Sequence, residues 1–203
     1  STRARWIAVV DDDMDLVPEF LAGHLEALQS GGPLAVAIGR VIPEEGWERG
    51  PLHEAVRTQA MLELHEDLAR GARQSLASAF VTQNVSFGRD LYQSVGGFDE
   101  ALRLGEDTEL GLQFERAGAR FLFADRGAAV HRSRVGSYET WLRRQVEYGR
   151  SGIYIYQKLG RDPHAHFLRN LVNGSRLNAL LVSALCWSDG LARGGIAVLR
   201  WVG

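Results

Sequence analysis

An α/β fold is the class this 203-residue chain predicts, and three observations point to it. Short apolar runs rich in β-branched residues alternate with longer segments whose apolar residues recur at helical spacing. The strand-like runs stop near Ser137, and the remainder of the chain is helical in pattern. With 45% apolar and 24% charged residues, the composition is that of an ordinary globular protein of about one domain, typically ~100–200 residues.

The run RWIAVV (5–10), ended by acids, reads as a strand buried on both faces. Residues 15–32 read as a helix: Asp15 offers an N-cap, Pro18 lies in the first turn, Leu21, Leu25 and Leu28 mark an apolar face, and Gly31 is a stop. A second strand is expected over 33–43 and a loop over 44–50. Residues 52–72 repeat apolar side chains through Val56, Met61, Leu64 and Leu68, as an amphipathic helix does. Residues 75–88 are strand-like, 89–95 a short helix, and 96–105 a glycine-bounded loop. The next helix, 106–118, opens with acids and closes with Gly118, matching the helix dipole. Two short strands, 119–124 and 127–132, complete this part.

Beyond Ser137, residues 137–160 and 162–187 have long helical patterns. The mostly apolar stretch 177–187 is shorter than the ~20 residues a membrane span needs, so it reads as a core or docking helix. An in-plane membrane contact through residues 177–202 is the other reading.

Composition narrows the chemistry. A net charge of −2 with no clustered basic surface argues against nucleic acid as a partner. Lys158 is the only lysine, which weakens any mechanism built on a lysine nucleophile. Cys186 is the only cysteine, so an intrachain disulfide and a cysteine zinc site are excluded and a reducing compartment is expected. The opening STRARWIAVV lacks the apolar core of a signal peptide.

VVDDDMD (9–15) places four carboxylates in five positions, just beyond a strand. Open α/β sheets hold their ligands at that end. Carboxylates so close raise one another's pKa unless a cation offsets the repulsion, and oxygen ligands suit Mg2+ or Mn2+. Alternatively, Asp11 to Asp13 form a solvated turn while Asp15 caps the helix. An EF-hand loop is excluded, because Leu16 and Ala22 stand where Gly and Glu are required. An aspartyl-phosphate phosphatase would use Asp11 as nucleophile. It is disfavoured by Asp15, which stands where Thr or Val is expected, and by the distance to Lys158.

Residues 82–121 add TQNVSFG, VGGFDE and GEDTEL, and AVHRS follows at 129–133. By itself, GEDTEL reads as a capped helix start with Glu109 reaching back. Taken in order with VVDDDMD, these pieces resemble the inverting family-2 glycosyltransferases of the GT-A fold. The resemblance covers roughly residues 4–150 and implies a partial GT-A domain, a Rossmann-like mixed sheet flanked by helices, over 1–136. A helical extension over 137–203 completes the chain.

The same resemblance implies a role for each motif residue. Asp13 would be a metal ligand, with Asp11 beside it and His131 closing the site around Mn2+ or Mg2+. Asp11, Asp12, Asn84, Gly97 and Glu106 would contact the substrates. Asp107 would be the general base, kept ionised by its position at a helix N-terminus. The partners implied are a nucleotide-sugar donor and a saccharide or lipid-linked acceptor, with the reaction in the cytoplasm or at the inner face of the membrane. A family member also carries a nucleotide-binding segment before its D-x-D strand, whereas only six residues precede IAVVDDD here. The expectation is therefore a piece of a longer enzyme. The alternative is a degenerate or truncated module that binds carbohydrate or a partner without catalysis.

Overall fold

The computed structural model of the chain describes residues 4–132 and 137–160. It comprises two compact units, Ser1–Val135 and Gly136–Gly203. In the first unit, β1 (Trp6–Val10), β2 (Met14–Leu16), β3 (Ala35–Pro43), β4 (Asn84–Gly88) and β5 (Arg120–His131) form one sheet in the order β1-β4-β3-β5-β2. β3 and β5 run parallel; the other neighbours are antiparallel. Helices α1 (Phe20–Gly31), α2 (Leu52–Ala69), α3 (Arg89–Ser94) and α4 (Glu106–Arg116) belong to the same unit. This polarity brings the carboxyl ends of β1, β3 and β5 and the amino ends of β2 and β4 to one rim.

The two faces of β3 explain the layers. Val36 and Ile38 join Phe80, Phe87, Leu110 and Phe114 in the larger core, where Phe80 meets Phe114 edge-on at 5.6 Å. Each such ring, fully buried, is worth roughly 1.5–3 kcal/mol. On the alternate positions, as the two-residue period of a strand requires, Ala35 and Ala37 pack with Leu28 and Ala124. Small residues let α1 lie close: a methyl group on Gly23 would come within 2.3 Å of the Gly127 nitrogen.

That close approach turns α1 differently from expectation. Its buried face is Phe20, Gly23, His24, Leu28 and Gly31, while Leu21 is 71% and Leu25 40% exposed. Asp15 does not cap the helix. It lies in β2 opposite Val130, and its carboxylate accepts a hydrogen bond from Arg132 Nε at 2.7 Å. β1 is not buried on both faces either. As the edge strand it leaves Ala8 and Val10 exposed.

Residues 75–83 are not strand. They include a tight turn at Ala77–Ala79 that buries both alanines against α4 beside Gly111. The two short strands expected at 119–132 are one, β5, interrupted by a bulge: β3 advances from Gly39 to Val41 while β5 advances from Ala124 to Ala129. Within the bulge, Asp125 pairs with Arg40, which also reaches Glu66 at 2.8 Å.

In the second unit, α5 (Tyr138–Lys158) starts where Ser137 accepts a hydrogen bond from the Thr140 amide at 3.2 Å. Arg150 pairs with Glu147 along the helix at 2.6 Å. The expected helical pattern over 162–187 and the membrane contact over 177–202 lie outside the described residues. Among those described, no helix is long and apolar enough to cross a membrane.

Candidate active site

The rim of the sheet assembles the acids. After β1, the Asp11 amide donates to the Gln83 carbonyl at 3.4 Å, tying the first aspartate to the segment that enters β4. The Arg132 amide donates to the Asp13 carbonyl at 2.8 Å, and Met14 pairs with His131 across β2 and β5. These bonds clamp the turn between β1 and β2. His131 Nε2 consequently lies 3.5 Å from Asp13 Oδ2, although the two residues are far apart in sequence.

Asp107 arrives from α4. Gly105, with φ of 80°, turns the chain into the helix through a conformation that disfavours a side chain. Asp107 Oδ1 accepts from the Thr108 amide at 2.6 Å and from its hydroxyl at 3.3 Å, and the Thr82 amide also donates to this carboxylate. The helix-end donors expected to keep Asp107 ionised are therefore present. Burial outweighs them: the pKa of Asp107 stands above the ordinary aspartate value, because removal from water penalises the charge more than the donors favour it. That corrects the expected electrostatics and makes the carboxylate a stronger proton acceptor when ionised.

The acids feel one another. Asp11 is pushed up chiefly by burial, then by the charge of Asp13, with Asp107 and Asp12 adding to it and His131 opposing. Glu106 is raised by burial and then by Asp107 and Asp11. Asp11 thus stands within electrostatic reach of Asp13, His131, Asp107 and Glu106. Two oxygens in this group, Asp13 Oδ1 and Glu106 Oε2, are buried with no hydrogen-bond partner. Leaving a buried acceptor unsatisfied costs ~1–3 kcal/mol, more when it is charged, so both oxygens ask for a ligand.

Among the described residues, no group of three or more His, Cys, Asp or Glu side chains is disposed to hold a metal ion by itself. The Asp13–His131 pair and the unpartnered Asp13 oxygen suit a cation that completes its shell with phosphate oxygens and water. Mg2+ commonly binds in that way.

The other expected contacts are Asn84, Gly97 and Asp12. Asn84 is buried, and its amide is fully engaged within the protein. Nδ2 donates to the Arg40 and Gly127 carbonyls, each at 2.9 Å, so Oδ1 faces His24 Nε2 at 2.8 Å. Burial lowers the His24 pKa and so favours the neutral ring; with Nε2 donating, Nδ1 of that neutral ring accepts from the Ser86 hydroxyl at 2.7 Å. Asn84 thus ties β3, β5 and α1 together beneath the rim. A methyl group on Gly39 would fall 2.3 Å from that amide, so the network fits only against glycine. Gly97, with φ of 76°, packs on the Tyr92 ring in its own turn. Asp12 is exposed beside Asp11. His24 and Ser86 carried no local signal, because their partnership spans 62 positions.

The sequence matches the family model described as glycosyl transferase family group 2 over residues 6–201. The chain belongs to this glycosyltransferase family. No curated protein matches it. For a family-2 glycosyltransferase, the mixed five-stranded sheet flanked by helices is a partial GT-A arrangement, and the rim acids lie where its ligands are expected. Family membership implies transfer of a sugar from a nucleotide-sugar donor to an acceptor.

Proposed function

We propose that this domain transfers a sugar from a nucleotide-diphosphate donor to an acceptor hydroxyl with inversion, in a metal-dependent reaction. The observation that supports it most is that the charges of Asp13, His131 and Asp107 all act on Asp11, while Asp13 lies 3.5 Å from His131. Asp13, Asp11 and His131 would hold Mn2+ or Mg2+. A bound cation supplies Lewis-acid neutralisation of the diphosphate. Asp11 and Asp12 lie beside that position and would orient the donor, and Glu106 offers its unpartnered oxygen to a sugar hydroxyl.

Asp107 is the base. As the acceptor oxygen attacks the anomeric carbon, the bond from that carbon to the phosphate oxygen breaks and the hydroxyl proton passes to the Asp107 carboxylate. The nucleoside diphosphate leaves from the opposite face, so the anomeric configuration inverts. The Thr108 and Thr82 donors orient the carboxylate, while its burial raises its affinity for the proton. The acceptor is a saccharide or a lipid-linked compound, met on the cytoplasmic side.

Transfer should be measured on the full-length protein with Mn2+ and a panel of nucleotide sugars. Asp107→Asn is expected to lower turnover ~10²–10⁴-fold, the usual worth of a positioned general base. In the unaltered enzyme, turnover should decline as pH falls through a pKa above that of an ordinary aspartate. Undiminished transfer by Asp107→Asn would remove this residue from the role.

A further inference from the structure

Beside the acid rim lies a second space that the transfer chemistry does not use. A cavity of about 300 Å³ opens between α2, the carboxyl half of β3 and the loop before β4. Its wall is mostly apolar, through Ile38, Val41, Met61, Leu64 and Ala79, with Arg57, Thr58 and Ser78 as polar members. Ala60 on α2 and Val81 on the loop line it from opposite elements and are themselves exposed, so they mark its mouth.

Two features tie this cavity to the reaction centre. His131, which lines it, is the residue that faces Asp13 at 3.5 Å. The segment 81–84, the loop 81–83 with the first residue of β4, is shared. Val81, Gln83 and Asn84 line the cavity, the Gln83 carbonyl holds the Asp11 amide, and the Thr82 amide holds the Asp107 carboxylate. The cavity and the acid rim therefore share a wall, at His131 and at the segment 81–84.

Size and polarity specify the occupant. Ligand sites typically span ~300–1,000 Å³ and are mostly apolar with a few placed polar groups. An apolar cavity of ~150 Å³ holds one benzene ring, so this one suits a group of about two fused rings or an alkyl chain of similar bulk. His65, also in the wall, has its pKa lowered to about 4 by burial and by Arg40, so at neutral pH it adds no charge. The geometry points to an amphipathic acceptor: a compact aromatic or aliphatic group of the acceptor occupies the α2 cavity while its hydroxyl faces Asp107. This rests on the proposed transfer reaction for its meaning, but its test does not.

Binding is measured by calorimetry on the full chain without donor, comparing 2-naphthyl β-D-glucoside with methyl β-D-glucoside. The naphthyl compound is expected to bind at least tenfold more tightly, because only it fills the apolar space. Ala60→Trp and Val81→Trp, which block the cavity from different walls at exposed positions, should each abolish that preference. Asp107→Asn should retain it, so a failed base assignment and a failed cavity assignment give different results. Equal binding of the two glucosides by the unaltered protein overturns the inference. A preference that survives in either folded tryptophan variant, with circular dichroism as the control, also overturns it. If both variants fail to fold, the comparison of the two glucosides on the unaltered protein still decides.

Discussion

Two polar regions lie a few residues apart and are built in opposite ways. In the seam under the rim, His24, Asn84 and Ser86 satisfy one another, and Asn84 spends both amide protons on carbonyls. At the rim, Asp13 and Glu106 keep buried oxygens with no partner, and Asp11, Asp107 and Glu106 all stand above their ordinary pKa values. Loss of water is the leading cause in both regions, driving acids toward protonation and the His24 and His65 imidazoles toward neutrality. The difference teaches which region is scaffold. Satisfied polar groups hold the sheet and α1 in place; unsatisfied ones remain open to a ligand.

The contrast can be broken most forcefully at Asp13. Asp13→Asn is expected to reduce transfer by about 10³-fold, roughly 4 kcal/mol of barrier, if the cation is held there. The same change should leave the melting temperature equal or higher, because it removes a charge from a repulsive cluster. Steady-state assays with a thermal melt check both, and a large loss of stability would mean that Asp13 belongs to the scaffold.

Acid should attack the scaffold next. His65 is neutral in the folded protein with a pKa of about 4, against 6.5 when free, and it faces Arg40, Asp125 and Glu66. The unfolded chain takes up a proton as pH falls below 6.5 and the folded one does not, so stability present above that pH is lost progressively down to about 4. A lost margin of roughly 3 kcal/mol is expected by then. Denaturant titrations at several pH values measure it, and His65→Gln should flatten the dependence.

A smaller effect sharpens the seam itself. Asn84→Ala should cost about 2 kcal/mol, the penalty for stranding His24 Nε2–H and two buried carbonyls. At a temperature where the variant is folded, its transfer rate per folded molecule should stay within a few-fold of the parent. A specific loss of donor affinity would instead return Asn84 to the substrate surface.

Much of this was legible in the sequence where periodicity or punctuation is strong. β3, α2, α4 and α5 lie close to their expected spans, and the acids grouped by motif order converge at one rim. The failures have physical causes. β2 is a three-residue strand, too short for any period, and it takes Asp15 with it. The apolar spacing of α1 suggested the wrong face, because glycine contacts, which carry no hydrophobic signal, orient the helix. β5 looked like two strands because the charged Asp125 and Arg126 interrupt it at the bulge. His24 was silent because its partners lie on β4, and the burial of Asn84 is not written in its motif.

The fit of Gly23, Gly39 and Gly127 bears on how this chain can vary. At each, an added methyl would fall within 2.6 Å of backbone or of a side chain engaged in the seam. In a randomised library screened for folding alone, these positions should return almost nothing but glycine, while the aspartates should drift freely. Selection for turnover would then restrict the aspartates, so two rounds of screening would separate inherited architecture from inherited chemistry.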